Sequence, residues 1–126
     1  MSLLLDAGAL IAHERRDPRL RAYLVAADAE ETTLRTSAAV VAQVWRDGGR
    51  QARLAQLLRS VDEVALTPER GRAIGALLAR ARVHDVVDAA LVELAENGDE
   101  ILTSDPDDLR RLVHASGKRL VITRVG

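Results

Sequence analysis

Short apolar or β-branched runs alternate with helix-length segments along this sequence, and that alternation limits the fold more than any other feature. The run Ser2 to Leu5 stops at Asp6, and Ala7-Gly8-Ala9 opens a helix. A second helix fits Pro18 to about Ala29, with the proline tolerated in its first turn. Thr32 to Thr36 is β-branched enough for a strand. Ser37 then reads as the N-cap of a helix over Ala38 to Arg46, which Asp47-Gly48-Gly49 breaks. Further along, the pattern predicts a helix over Arg50 to Arg59, a strand over Glu63 to Leu66 and a long helix over Pro68 to Arg82. Asp85 to Glu96 reads as the next helix, stopped by Asn97-Gly98. A strand over Glu100 to Thr103, a helix over Pro106 to His114 and a last strand over Leu120 to Thr123 complete the chain. Strands separated by helices need crossover connections, so the sheet is expected to be mainly parallel and covered on both faces. In such sheets ligands bind beyond the carboxyl ends of the strands.

Composition narrows the function classes. At 126 residues and 48% hydrophobic, the chain suits one domain spanning residues 1–126 with one packed core. Trp45 and Tyr23 are the only aromatic residues, so Leu, Val, Ile and Ala must fill that core, and a stacking platform for unstacked bases is disfavoured. The absence of cysteine removes disulfides, thiolate metal sites and a cysteine nucleophile. No basic segment leads into a long apolar stretch at the start, and no apolar run approaches the roughly 18 residues of a membrane span. The expectation is a soluble, cytoplasmic chain without membrane association. Arginine supplies almost all the positive charge, with Lys118 the single lysine, and arginine forks suit phosphate. With a net charge of −1, nucleic-acid binding cannot be argued from overall charge.

The informative residues are acids at strand ends. Asp6 follows Leu3-Leu4-Leu5 directly, and Asp105 follows Ile101-Leu102-Thr103-Ser104 in the same way. Helical spacing from Asp85 puts Val86, Val87, Ala90, Leu91 and Leu94 on a buried face, with Asp88 at its edge and Asp85 turned away. Taken singly, each acid has a structural explanation. Asp6, Asp85 and Asp105 are good N-caps, and Asp88 in a first turn complements the helix dipole. Taken together, three carboxylates at one end of a sheet repel unless a divalent cation neutralises them, and carboxylate oxygens are what Mg²⁺ or Mn²⁺ prefers.

Four segments occur in a telling order: Leu3 to Ile11, Thr36 to Arg46, Asp85 to Ala90 and Leu102 to Asp108. In this order and spacing the chain resembles a PIN domain, and within that family the VapC-type toxins of bacterial toxin–antitoxin pairs. The resemblance spans essentially the whole chain. It implies a three-layer α/β/α fold and a metal-dependent ribonuclease acting on tRNA or rRNA, silenced by a cognate antitoxin. Asp6, Asp88 and Asp105 match the first, third and fourth family acids, with Asp85 the alternative for the third. Asp107 and Asp108 resemble extra acids often found after the fourth. The second family acid is a glutamate, and here that position is Gln43. Its carbonyl oxygen could still bind metal or water, but it brings no charge, and Asp85 or Asp108 could compensate. The alternative is therefore a weakened or inactive PIN domain that binds antitoxin or RNA without turnover. In the implied mechanism Asp6, Asp88 and Asp105 hold Mg²⁺ or Mn²⁺, which activates a water against a phosphodiester. Thr103 or Ser104 would orient a carboxylate or that water, or simply form a turn.

The remaining candidates are weaker. His13, His84 and His114 lack metal-ligand spacing. Ser37 has no paired base, and Gly48-Gly49 is not a phosphate loop. Arg46, Arg50 and Arg53 form either an RNA-binding rim near Gln43 or a solvated helix face. Trp45, Leu24, Leu54, Leu57 and Leu58 read as core; whatever stays exposed there would suit an antitoxin segment or a homodimer partner. A phospho-acceptor receiver domain is disfavoured, because it needs an acidic pair after strand one and an acceptor Asp after strand three. This chain has a lone Asp6 and then Thr67-Pro68.

Overall fold

The computed structural model describes all 126 residues. Five strands form one sheet in the order β3-β2-β1-β4-β5, with β1 at Ser2–Leu5, β2 at Thr33–Ser37, β3 at Val61–Val64, β4 at Glu100–Thr103 and β5 at Val121–Arg124. Every pairing is parallel. Seven helices flank the sheet: α1 (Ala7–Glu14), α2 (Pro18–Ala29), α3 (Ala38–Val44), α4 (Ala52–Leu58), α5 (Pro68–Ala81), α6 (Val86–Leu94) and α7 (Pro106–Ser116). The expected α/β/α architecture with a parallel central sheet is therefore what the chain forms.

The central strand β1 is buried on both faces, which explains its uninterrupted Leu3-Leu4-Leu5 run. The chain winds from β1 outward through β2 to β3, then returns to the other side of β1 for β4 and β5. The order thus reverses between β1 and β4, the kind of switch point that leaves a crevice at the carboxyl ends of the strands. The register pairs Leu5 with Leu102, so both strands end level. The Asp6 N–H donates to Leu102 O at 3.2 Å. On the other flank the buried Thr36 hydroxyl donates to Leu5 O at 2.6 Å. Three strand ends are tied together just where the acids begin. One cluster of 27 buried apolar residues runs through both helical layers. At the opposite end of the sheet, the buried Asp99 carboxylate accepts from Ser2 N at 2.7 Å and Glu96 N at 2.8 Å.

Several boundaries differ from the sequence expectation for identifiable reasons. Helix α3 stops at Val44 rather than Arg46 because the Gln51 side chain takes over its C-terminus. The Gln51 amide nitrogen donates to Val44 O at 2.9 Å, and its oxygen accepts from Arg46 N and Asp47 N. Strand β3 starts at Val61, two residues early, because α4 ends at Leu58 and Ser60 N bonds back to Leu57 O, delivering Val61 directly to its partner Leu34. Helix α6 presents Ala89, Ala90, Leu91, Val92 and Leu94 to the core, whereas Val86 is exposed and Val87 only partly covered. The helix is wrapped over most of its girth, so its buried face is broader than the predicted stripe and sits deeper along the helix. Helix α7 runs to Ser116 and ends at Gly117, whose φ of 70° closes the turn. Trp45 is not core: it lies 37% exposed beyond the end of α3.

Candidate metal centre at the strand ends

Asp6 sits between β1 and α1, and its carboxylate does cap the helix, accepting from Ala9 N at 2.8 Å. It is also buried, which is costly for a charge. Burial pushes its carboxyl above the ordinary range, opposed by hydrogen bonds from the Thr103 hydroxyl and the N–H groups of Ala9 and Gly8. Thr103, fully buried at the end of β4, also accepts from Asp105 N at 2.9 Å. The same hydroxyl thus neighbours the first acid of the predicted set and anchors the backbone of the last. Asp105 differs from Asp6 in a decisive respect: it precedes α7, yet its side chain makes no cap hydrogen bond. The capping explanation fails for this residue.

Asp85 is the N-cap of α6, accepting from Asp88 N at 2.9 Å, and is exposed. Asp88 follows in the first turn, half-buried. Burial, then repulsion from Asp85, Asp6, Asp108 and Asp105, raises its carboxyl from the ordinary 3.8 to about 7. Asp108 is exposed, and its carboxyl is raised by hydrogen bonding to Asp105 and then by the charge of Asp105. Asp107 plays another role: it pairs with Arg110 along α7. Five carboxylates from three loops and helix starts therefore share one electric field. None of them has a basic partner, since the ion pairs of the chain are Arg35–Asp62, Arg50–Asp47, Arg70–Glu93 and Arg110–Asp107.

Charge and donor chemistry fit a hard divalent cation: oxygen ligands in excess, partly desolvated, with no positive side chain to compete. The spacing is looser than a closed coordination shell, for no three acidic or histidine side chains stand as ligands of one ion. The carboxylates share a field without converging on a point. Gln43 lies exposed on the last turn of α3 and makes no side-chain hydrogen bond. Ser104 is exposed in the β4–α7 loop, pressed against Gly8 of α1. A Cβ on Gly8 would fall 2.0 Å from Ser104 Oγ, so this glycine is what lets the Asp6 and Asp105 segments meet. Of the predicted rim, Arg46 folds back onto Ala42 O and Trp45 O, while Arg50 stands exposed beside Asp47 at 3.8 Å.

Sequence reasoning overlooked three contributors: Gly8 as a spacer, the Thr36 bond that levels β1 with β2, and the Gln51 cap that shapes the loop after α3. A glycine directly after a strand-end acid is a usable signal for the first. The other two depend on contacts distant in sequence.

The sheet order and the helical layers on its two faces give an α/β/α fold of PIN type. The chain is similar along its whole length to a chain of VapBC2 from Rickettsia felis, crystallised bound to a DNA fragment from their promoter. The match covers 100% of both chains with a TM-score of 0.72 at 10% sequence identity. The chain thus has a VapC-type PIN-domain fold. No protein-family model matches the sequence, and no curated protein matches it.

Proposed function

We propose that this chain is a divalent-metal-dependent endoribonuclease and the toxin half of a toxin–antitoxin pair. The observation that carries the reading is five mutually repelling carboxylates, unpaired with any cation, at the carboxyl ends of parallel strands on this fold. Asp6, Asp88 and Asp105 would hold Mg²⁺ or Mn²⁺, with Asp85 and Asp108 adjacent. Bound there, the ion would supply an acidified water and neutralise charge on phosphate oxygens. The chain's own residues do the positioning. Thr103 takes the Asp105 N–H at 2.9 Å and its hydroxyl favours the charged form of the neighbouring Asp6, so it serves both strand-end acids. Asp88 must lose its proton before it can act as a ligand.

An antitoxin partner is supported by an apolar groove of about 490 Å³ on the β3 side, where Val41, Trp45, Ala55 and Leu58 meet Arg59 and Glu63. A segment with an apolar stripe would bury the exposed Trp45 ring there. No helix is long and apolar enough to cross a membrane.

The test is incubation of purified, antitoxin-free chain with tRNA and rRNA in Mn²⁺, in Mg²⁺ and in EDTA. Cleavage is expected with either ion and none in EDTA. Asp6→Asn should abolish it while the melting temperature stays near wild type, because asparagine caps α1 almost as well as aspartate. Activity in the Asn variant equal to wild type would leave Asp6 only its capping role. A second reading, binding without turnover, is favoured by the amide at Gln43. Under that reading the wild type is silent with both ions, and Gln43→Glu, which adds a carboxylate at little cost in helix propensity, restores cleavage.

A further inference from the structure

A groove begins beside the strand-end acids and leaves them along α1. Gly8, Ile11, Ala12 and Arg15 line it at helical spacing, facing Ser104, in a hollow of about 480 Å³. Arg16 and Asp17 belong both to this hollow and to a second one of about 500 Å³, which continues past His13 to Arg21 and Arg53. From Gly8 to Arg15 is roughly 10 Å along the helix axis. The two hollows adjoin at Arg16 and Asp17, and together they extend from Ser104, the residue before Asp105, and Gly126 beside it to a cluster of arginines.

Those arginines are unusual in this chain. Arg15, Arg16 and Arg21 join no ion pair, and Arg53 makes only a long 3.4 Å contact to His13 O. The turn that carries Arg16 is fixed: its φ is 58°, held by Arg16 N to His13 O at 3.1 Å and Asp17 N to Ala12 O at 2.9 Å. The Asp17 carboxylate is spent on the first N–H groups of α2, at 3.0 Å from both Arg19 N and Leu20 N. Asp28, at the far rim, joins no ion pair. Burial first, then the charge of Arg53, hold His13 below its ordinary range against the opposing charge of Glu14, and three arginines line the second hollow against the two carboxylates of Asp17 and Asp28. Ile11, 38% exposed, leaves an apolar floor midway.

We propose that this path is the track along which the phosphate backbone of single-stranded RNA approaches the strand-end acids, with Arg15, Arg16 and Arg53 its phosphate contacts. The proposal rests on the ribonuclease reading above, which supplies the reason for a polyanion to end at Asp105. An acidic protein segment laid in the same path would terminate against five carboxylates with no reacting group to deliver.

The test uses the whole chain, in EDTA so that binding is separated from cleavage, with fluorescence anisotropy of a labelled single-stranded oligoribonucleotide as the readout. The variant combines Arg15→Ala, Arg53→Gln and Arg16→Asn, asparagine being tolerant of the left-handed turn. Affinity should fall by at least about tenfold, and the slope of log K against log salt should drop by about 2, three phosphates at about 0.7 each. Arg80→Ala with Arg111→Ala, on α5 and α7, serves as the comparison and should change neither quantity. Wild-type affinity in the triple variant overturns the track, as does a loss confined to the Arg80 and Arg111 pair. Displacement of the RNA by a polyglutamate peptide at equal charge also overturns it and assigns the groove to an acidic protein segment. Arginine-dependent binding without cleavage in Mn²⁺ supports the track and counts against the ribonuclease reading. Cleavage unaffected by the triple variant does the reverse.

Discussion

At the scale of single residues, Gly8 does what no other side chain could. A Cβ there would meet Ser104 Oγ at 2.0 Å, Ser104 Cβ at 2.6 Å and Ser104 N at 3.0 Å. The first two contacts are with a side chain and the third is with backbone, so part of the clash can be relieved and part cannot. Gly8→Ala should therefore destabilise the chain by about 1–3 kcal/mol, in line with overpacking elsewhere, despite alanine's better helix propensity. Adding Ser104→Gly should recover a substantial share, and urea melts of the four members of the cycle measure that coupling. Additive effects would mean that Ser104 yields freely and that Gly8 is not what joins the two loops. Such a contact is invisible in sequence, whereas Asp6 and Asp105 were legible because each follows an apolar strand run directly.

At the scale of elements, the three acid-led helices look alike in sequence and differ in structure. Asp6 and Asp85 accept cap hydrogen bonds at 2.8 and 2.9 Å, while Asp105 makes none. Asp85→Ala should cost about 1 kcal/mol, the usual worth of a cap. Asp105→Ala should cost under about 0.5 kcal/mol, as expected where no cap is lost. Denaturant midpoints at constant slope decide the matter, and an equal loss at both positions would return Asp105 to a structural role. The strand–helix alternation made the parallel sheet legible, since crossovers leave few other arrangements. The end of α3, by contrast, is set by Gln51 seven residues further on, and the start of β3 by a short turn after α4. Local periodicity carries neither signal. For α6, the pattern found an amphipathic helix but misjudged how far neighbouring helices would enclose it. That is why Val86 emerged exposed and Val92 buried.

At the scale of the whole molecule, a net charge of −1 conceals an uneven distribution, with unpaired carboxylates at the strand mouth and unpaired arginines in the α1–α2 turn, on α2 and on α4. The carboxylates set a pH dependence whose sign can be worked out. Burial, then Asp85, Asp6, Asp108 and Asp105, lift Asp88 from 3.8 to about 7. Below about pH 4 it is protonated in folded and unfolded chains alike, and the folded state bears no penalty. As pH rises, the unfolded chain releases this proton first, so stability is lost progressively up to about pH 7. Asp88 is only half-buried, so solvent screening trims the full linkage value to about 1–2 kcal/mol. Asp6, raised by burial, acts in the same direction. Asp88→Asn cannot ionise, so its stability relative to wild type should rise by roughly 60% of that amount between pH 5 and pH 8 in EDTA, the rest being lost already below pH 5. On the proposed metal-dependent reading, a divalent cation would reverse the balance, because it would bind the deprotonated carboxylate and return attraction for repulsion. Mn²⁺ should therefore raise the wild-type melting temperature far more at pH 8 than at pH 5, and do little for Asp88→Asn at either pH. Thermal melts of both proteins at the two pH values, with Mn²⁺ and with EDTA, separate the alternatives. A pH-independent difference between them would remove Asp88 from the shared field, and an equal Mn²⁺ response would remove it from the metal.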